Sequence, residues 1–250
     1  MLVESSRESY FIIDTETMGI NDNSVVMDIS TVFVDMNGLF NIHMEAENTN
    51  PLSFNSFLKS GHVHTISLFP NIKEQLEGGL EKSKDTLKFW KELKQESNDK
   101  LLDYINKLFS NDGKISVEES MTLFEDFLVK CVAKIPSNVQ DYKFIPFLER
   151  SGGFDTNKVY NLMDKFWNGS KNSRMKYWMR REIRTVISCN RYRIPESFLR
   201  KGTTSWSDGL RNVISKEMGE EFVPHVAIND CLIDAYILYI LKMTIEDFYL

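Results

Sequence analysis

The sequence predicts an α/β domain of 250 residues with a mainly helical midsection. Short apolar and β-branched segments, which are typical of strands, dominate residues 10–46. Apolar residues three and four positions apart, which are typical of helices, recur in residues 70–135. Because no obvious linker or low-complexity tract separates these parts, we expect residues 1–250 to form one domain, with about 70–135 as a helical insertion.

The composition is that of a water-soluble globular protein, with 42% hydrophobic and 26% charged residues and a net charge of −6. The most apolar stretch, Cys231–Met243, is broken by Asp234 and is shorter than the ~20 residues that cross a bilayer. The start of the chain lacks the segments of a signal peptide. The three cysteines are widely spaced, which favours reduced thiols. We therefore expect a cytoplasmic protein with no membrane partner.

Three strands are predicted near the start of the chain. Tyr10–Asp14 is a short apolar run suited to a buried strand, and Val25–Asp35 is rich in β-branched residues. Asn37-Gly38 follows at once and is the strongest short signal for a hairpin. Leu39–Ala46 is therefore predicted to return as a third strand.

Later segments alternate between strand and helix patterns. Tyr142–Leu148 predicts a fourth strand, although Pro146 is unfavourable within a sheet. Helices are predicted for Asp155–Trp167, Arg174–Ser188 and Asp230–Lys242.

A basic segment runs from Lys171 to Lys201. It holds ten basic and two acidic residues, a charge of +8, which leaves −14 for the rest of the chain. Aromatic side chains such as Tyr177 and Trp178 lie between the positive charges. This pattern predicts contact with the phosphates of a nucleic acid. The alternative is a solvated helix face.

Asp14 and Glu16 form an acidic pair at the end of the first predicted strand. Residues two apart in a strand point to the same side, so both carboxylates face one place. Such convergence is unfavourable unless a cation lies between the groups, and hard divalent cations prefer oxygen ligands. The alternative is a solvated acid in a turn, because chance alone predicts about one Asp-x-Glu in this composition.

Two further motifs supply acids and a histidine. His225 lies in a loop five residues before Asp230, which opens a predicted helix. A neutral histidine can accept a proton from water as a general base. Two glycines precede Phe154-Asp155 and allow close approach of the backbone at a helix start. The alternatives are a surface-loop histidine for His225 and helix N-caps for Asp155 and Asp230. Asp234, one turn after Asp230, is predicted to support the site, and the alternative is a polar residue on the apolar face of the helix.

The order of these motifs resembles the DEDDh 3′→5′ exonuclease superfamily. Asp-x-Glu on the first strand, Phe-Asp at a mid-chain helix start and His-x4-Asp at the last helix follow one another over nearly the whole chain. Phe11–Gly19, Trp178–Thr185 and the pair Phe89-Trp90 are most similar to the group that includes exonuclease A of T-even bacteriophages and its mycobacterial-like exoribonuclease relatives. Glu182 stands where that group usually has aspartate.

The resemblance implies a ribonuclease H-like fold, with a mixed central sheet flanked by helices, and a site for two Mg²⁺ or Mn²⁺ ions. In this scheme Asp14 bridges the ions. Glu16 and Asp230 complete one ion site, and Asp155 orients the other ion through water. His225 takes the proton from the attacking water. The implied reaction releases nucleoside monophosphates from a free 3′ end, with single-stranded DNA as the expected partner and, for a phage protein, a bacterial host cytoplasm as its location.

The resemblance also implies residues that bind the substrate. Thr17 and Met18 lie where relatives contact the terminal nucleotide. Phe154 is a candidate for base stacking, and Arg181 and Arg184, three apart on one predicted helix face, are candidates for backbone phosphates. The alternatives are core contacts for Met18 and Phe154, and structural salt bridges for the arginines.

Two other functions stay open. An exoribonuclease or oligoribonuclease would use the same scaffold and the same chemistry. A non-catalytic nucleic-acid-binding protein could retain the fold, but it has no need of converging carboxylates. Intact candidates at all five catalytic positions argue against it.

Overall fold

The computed structural model describes residues 9–45, 51–135, 142, 145–150, 153–169, 180–189, 216, 223 and 225–246. Its strands are β1 (Tyr10–Thr17), β2 (Val26–Val34), β3 (Val63–Leu68), β4 (Phe147–Glu149) and β5 (Arg180–Glu182). Its helices are α1 (Met36–Glu45), α2 (Phe54–Lys59), α3 (Ile72–Glu77), α4 (Lys84–Glu96), α5 (Asp99–Phe109), α6 (Val117–Val132), α7 (Phe154–Phe166), α8 (Ile183–Cys189) and α9 (Ala227–Glu246).

The described strands form one mixed sheet in the order β3–β2–β1–β4–β5. β2 runs antiparallel to both of its neighbours, whereas β4 is parallel to β1 and to β5. Helices pack on both faces of this sheet. The predicted α/β class and the ribonuclease H-like mixed sheet flanked by helices are therefore confirmed.

The side chains of β1 alternate between the two faces of the sheet, and helices bury both faces. Phe11 and Ile13 belong to an apolar cluster that includes residues of α4, α5, α6 and α7. Tyr10 and Ile12 belong to a second cluster, with residues of α1, α2 and α9. β1 is thus the central strand, and packing on two sides fixes the acids near its carboxyl end.

The predicted hairpin at Asn37-Gly38 is wrong, because residues 39–45 of the expected third strand lie in α1. The cause is Asp35. Its Oδ1 accepts a hydrogen bond from the backbone N–H of Gly38 at 3.2 Å, and its carbonyl accepts one from Leu39 at 3.2 Å. These bonds satisfy amides of the first helical turn. Asn37-Gly38 therefore starts a helix.

β3 comes from a segment for which no strand is predicted, and it pairs with β2 along its whole length. β4 is shorter than the predicted strand Tyr142–Leu148, because it begins after Pro146. The carbonyl of Pro146 accepts a hydrogen bond from the backbone N–H of Phe11 at 3.0 Å. Proline lacks an N–H, so it lies at the entrance of the strand and not within it.

The predicted helix Arg174–Ser188 is correct only in part. Residues 180–182 pair with β4 as strand β5, and the helix α8 begins directly after them. Residues 174–179 lie outside the described part of the chain.

The helical midsection is confirmed by α3, α4, α5 and α6. Ser83, Asn98 and Ser116 are side-chain N-caps of α4, α5 and α6, and each accepts a hydrogen bond from the backbone N–H three residues later. The predicted helices at Asp155 and Asp230 are also present, although α9 begins three residues before Asp230. That the midsection is an insertion into one domain stays a prediction.

In the part of the chain that the structure describes, no helix has the length and apolarity of a membrane span. Cys131 and Cys231 are buried free thiols, as predicted. The side chain of Cys189 lies outside the described residues.

Candidate active site

The carboxyl-terminal half of β1 carries Asp14 and Glu16, which are both half-buried. Thr15 lies between them, is buried, and points to the opposite face. In the register with β2, Asp14 is opposite Ser30 and Glu16 is opposite Asp28. The register shifts directly after Glu16. The two carboxylates therefore leave the sheet on one side, where the regular strand ends.

Asp155 reaches β1 from the first turn of α7. Its Oδ1 accepts two hydrogen bonds from Thr15, one from the backbone N–H at 3.0 Å and one from the hydroxyl at 2.7 Å. Gly153 occupies the N-cap position of α7 with a φ of 103°, a conformation that favours glycine. Asp155 is therefore not the N-cap of its helix, and its carboxylate joins α7 to the strand that carries Asp14 and Glu16.

Glu149, the last residue of β4, caps the amino end of α7. It is 1% exposed. Its Oε2 accepts hydrogen bonds from the backbone N–H groups of Asp155 at 2.9 Å and Thr156 at 3.0 Å, and its Oε1 accepts one from the Thr156 hydroxyl at 2.9 Å. Because the first amides of a helix lack partners within it, Glu149 fixes the direction of Asp155. This role of Glu149 was not predicted, and the available signal was an acid that ends an apolar run six residues before Asp155.

Asp230 lies in the first turn of α9, which packs against β1 and β2. The neighbouring Cys231 thiol donates a hydrogen bond to the carbonyl of Ser30 on β2 at 3.5 Å. This packing brings Asp230 toward the acids of β1. Its negative charge acts on both Asp14 and Glu16.

Four carboxylates therefore share one electrostatic site. Burial raises the pKa values of Asp14 and Glu16 well above their ordinary values, and the charges of the neighbouring acids raise them further. Burial also raises the pKa of Asp155 to about 7, although the hydrogen bonds from Thr15 act to lower it. This repulsion destabilises the folded protein unless protons or cations neutralise it.

The chemistry of this set suits a hard divalent cation, because all four groups offer carboxylate oxygens. The Oδ2 atom of Asp155 is buried and has no hydrogen-bond partner among the described residues, whereas its Oδ1 is held by Thr15. Across the described ranges, no group of three or more His, Cys, Asp or Glu side chains has the spacing of a ready metal site.

Arg150 and Asp234 form a charged pair beside the carboxylates. The Arg150 Nε donates to Asp234 Oδ2 at 2.7 Å, a second guanidinium N–H donates to Oδ1, and the Asp234 side chain is 3% exposed. Burial acts to lower the pKa of Arg150, but the hydrogen bonds and charge of Asp234 outweigh it and raise that pKa. The guanidinium in turn acts to lower the pKa of Asp14. Asp234 thus holds a positive charge near the site.

His225 lies two residues before α9, is exposed, and has a φ of 62°. Few non-glycine residues adopt this conformation, and histidine is among those enriched in it. The imidazole packs edge to face against Phe89 of α4, with ring centroids 6.4 Å apart. The structure therefore places His225 on the surface at the start of α9, against α4.

α4 supplies the two aromatic side chains that belong to the family resemblance, Phe89 and Trp90. Trp90 is buried, and its Nε1 donates to the carbonyl of Thr17 at 3.1 Å. Phe89 is 46% exposed and contacts Trp90, with ring centroids 5.5 Å apart. α4 therefore contacts both the end of β1 and His225 before α9.

Three predicted substrate-binding residues, Thr17, Met18 and Phe154, differ in how far their side chains are exposed. Thr17 is buried, and its hydroxyl donates to the carbonyl of Gly19 at 2.7 Å. Met18 is 5% exposed and belongs to the apolar cluster of the midsection, in line with the core alternative. Phe154 is half-buried, with Lys158 Nζ 4.7 Å from its ring centroid. Substrate contact by these three residues stays a prediction.

Arg181 and Arg184 are both exposed. Arg181 lies in β5 and Arg184 in α8, so the prediction that they share one helix face is wrong. The reason is the pairing of residues 180–182 with β4. Most of the basic segment 171–201 lies outside the described residues, and its contact with phosphates stays a prediction.

A family model described as the Rv2179c-like 3′–5′ exoribonuclease domain matches residues 9–211, more than half of the chain. The chain belongs to this family. The resemblance to the 3′→5′ exonuclease superfamily is thereby confirmed, and exonucleases of this kind use divalent metals. The matched range includes Asp14, Glu16 and Asp155, whereas His225 and Asp230 follow it. The DEDDh subtype and the similarity to phage exonuclease A stay predictions.

Two solved structures of exonuclease I are similar to this family member at low identity. The ExoI/SSB-Ct complex has a TM-score of 0.48 and 11% identity, over 97% of this chain and 44% of its own. The zinc-bound E. coli ExoI–ssDNA complex has a TM-score of 0.45 and 10% identity, over 96% of this chain and 41% of its own. The chain thus spans less than half the length of these proteins. No curated protein matches the sequence.

Proposed function

We propose that this protein hydrolyses single-stranded DNA from its 3′ end and releases nucleoside monophosphates, by a mechanism that uses two divalent cations. The cation ligands in this proposal are Asp14, Glu16, Asp155 and Asp230. The observation that carries it is the convergence of negative charge on Asp14 and Glu16, whose pKa values are raised by burial and, further, by the charges of Asp155 and Asp230. A binding protein gains nothing from such convergence, whereas a cation-dependent hydrolase uses it to hold its ions.

Each residue has a distinct part in this mechanism. Asp14 would be the ligand that both cations share, because the charges of Asp155 and Asp230 both act on it, and Glu16 and Asp230 would complete one cation site. Asp155 offers only Oδ2 freely, because Thr15 holds Oδ1, and this supports ligation through water. When bound, the cations supply the charge that activates the attacking water and stabilises the leaving 3′ oxygen.

His225 is the proposed general base. Its exposed position and its place at the start of α9 give it access to solvent and to an incoming strand. The imidazole must be neutral to accept a proton from the attacking water. Phe89, which packs against it, limits the orientations of the ring.

RNA is the second candidate substrate. The description of the matching family names an exoribonuclease, which favours RNA, whereas the resemblance to exonuclease A of T-even phages favours DNA. The hydrolytic chemistry is the same for both polymers, so relative rates on matched substrates distinguish them.

The proposal is tested with 5′-labelled single-stranded DNA and RNA of one sequence, incubated with Mg²⁺, Mn²⁺ or EDTA. Asp14→Ala is compared with Asp112→Ala, which makes the same change in an exposed loop between α5 and α6. We expect a ladder of shortening products that requires a cation, disappears with Asp14→Ala and persists with Asp112→Ala. No degradation under any condition, with binding intact, would support the non-catalytic alternative.

A further inference from the structure

Tyr104, on helix α5 of the midsection, reaches the sheet at a position beside the candidate active site. Its hydroxyl donates a hydrogen bond of 2.6 Å to Oδ2 of Asp28 on β2. Asp28 is 1% exposed, and it stands opposite Glu16 in the register of β1 with β2. A midsection side chain therefore contacts the residue paired with a proposed cation ligand.

The same hydroxyl also contacts the helix that carries Asp230. The backbone N–H of Ala227, the first residue of α9, donates to the Tyr104 oxygen at 3.4 Å. First-turn amides have no partner within their own helix, so this contact partly caps α9. His225 lies two residues before Ala227, and Asp230 lies three residues after it. Tyr104 thus joins β2 to the helix start between the proposed base and a proposed ligand.

Asp28 needs to be held in place, because like charges directly opposite each other on two strands repel. Tyr104 binds one of its oxygens, and the Ser30 hydroxyl donates to the other at 3.0 Å. Burial, together with the charges of Asp28 and Glu16, raises the pKa of Tyr104 well above its ordinary value. The hydroxyl therefore keeps its proton and remains a donor at neutral pH.

We propose that Tyr104 is a positioning residue for the active site: its hydroxyl holds Asp28 behind Glu16 and fixes the first turn of α9. It thereby sets the separation between Glu16 and Asp230. This inference rests on the proposed function. It adds to that function a role for α5 of the midsection, which would support the cation ligands. No local sequence motif indicates this contact, because the residues lie far apart in the chain.

The test compares Tyr104→Phe with Tyr236→Phe. The control also removes a tyrosine hydroxyl, here from a residue of α9 whose O–H donates to the Leu52 carbonyl at 2.8 Å. In steady-state kinetics on an oligonucleotide, we expect Tyr104→Phe to lower kcat about 10- to 100-fold, the usual effect of losing a partner behind a metal ligand. KM should change less than about twofold, because Tyr104 touches no substrate in this account. Tyr236→Phe should match wild type in both.

A second readout needs no catalysis. In metal-free protein, hydrogen exchange of the peptide that spans residues 223–232 should be faster in Tyr104→Phe than in Tyr236→Phe, because the Ala227 amide loses its acceptor. The Mn²⁺ affinity measured by calorimetry should fall in parallel. A double variant that adds Asp28→Asn should lose little beyond Tyr104→Phe alone, because the two side chains act as a unit.

The outcomes separate the two proposals. If wild type degrades oligonucleotides and Tyr104→Phe is as fast as Tyr236→Phe, the positioning role is overturned while the exonuclease stands. If wild type is inactive on every substrate, the proposed function fails. In that case, unchanged hydrogen exchange in Tyr104→Phe would also overturn the contact between Tyr104 and the first turn of α9. Faster exchange would support that contact.

Discussion

Replacing Asp155 by asparagine tests whether the acids of the site destabilise the folded protein. Asparagine keeps an oxygen that can accept both hydrogen bonds from Thr15, and it removes the negative charge. Burial raises the pKa of Asp155 from 3.8 to about 7. The folded state therefore binds more protons than the unfolded state between these values, and stability falls as pH rises through this window. We expect Asp155→Asn to be more stable than wild type at pH 8, with a smaller advantage at pH 5.

The magnitude follows from the shift of about 3 pKa units. At roughly 1.36 kcal/mol per unit, ionising Asp155 at pH 8 costs on the order of 4 kcal/mol more in the folded than in the unfolded chain. At pH 5 the carboxyl group of Asp155 is protonated in the folded chain and ionised in the unfolded chain. The destabilisation of the folded chain then corresponds only to the pH interval from 3.8 to 5, which is roughly 1.5 kcal/mol. The advantage of the variant should therefore shrink by roughly 2.5 kcal/mol between pH 8 and pH 5.

The assay is urea unfolding followed by circular dichroism at both pH values, in EDTA. Asp112→Asn, which changes an exposed loop residue, should alter stability by less than about 0.5 kcal/mol at either pH. Adding Mn²⁺ at pH 8 should stabilise wild type more than Asp155→Asn, by mass action. An advantage that is equal at the two pH values, or a variant less stable than wild type at pH 8, would show that the ionised Asp155 carboxylate does not destabilise the folded protein.

Two further substitutions give separable outcomes. Arg150→Met leaves the buried Asp234 carboxylate without its partner, so urea unfolding should show that the free energy of unfolding falls by about 3 kcal/mol. Adding Asp234→Asn should restore most of this stability. No recovery would argue against a stabilising Arg150–Asp234 pair. His225→Gly keeps a backbone that tolerates the φ of 62° and removes the imidazole. Single-turnover rates should fall roughly 100- to 10,000-fold with little change in melting temperature, and an unchanged rate would exclude His225 as the base.

The strands at the centre of the sheet were predictable because double-sided burial leaves a local signature. β2 is buried along its full length, and its β-branched sequence indicates this directly. β3 and β5 lie at the edges, where backbone pairing with a neighbour decides the structure. The sequence of β5, Arg180–Glu182, contains no apolar residue at all. The Asn37-Gly38 pair misled because it suits a hairpin as well as a helical first turn, and the cap from Asp35 selects the helix.

The candidate site could be proposed from the sequence where its residues lie in short local motifs. Asp14 and Glu16 are two apart on one strand, and the motif around Asp155 marks a helix start. Residues that support them were not predictable, since their contacts join distant segments: Tyr104 and Asp28 are separated by 76 residues. Such pairs arise from the packing of the midsection against the sheet, which no local pattern encodes.

The polarity of degradation distinguishes a 3′→5′ exonuclease from a nuclease that cuts within the chain. Two oligonucleotides of one sequence are compared, one with a free 3′ hydroxyl and one whose 3′ end is blocked by an inverted nucleotide, and the products are identified by mass spectrometry. We expect 5′-nucleoside monophosphates from the free end in Mg²⁺ or Mn²⁺, none from the blocked substrate, and none with Asp14→Ala. Equal degradation of both substrates, or products cut from within the chain, would contradict the proposed 3′→5′ exonuclease activity.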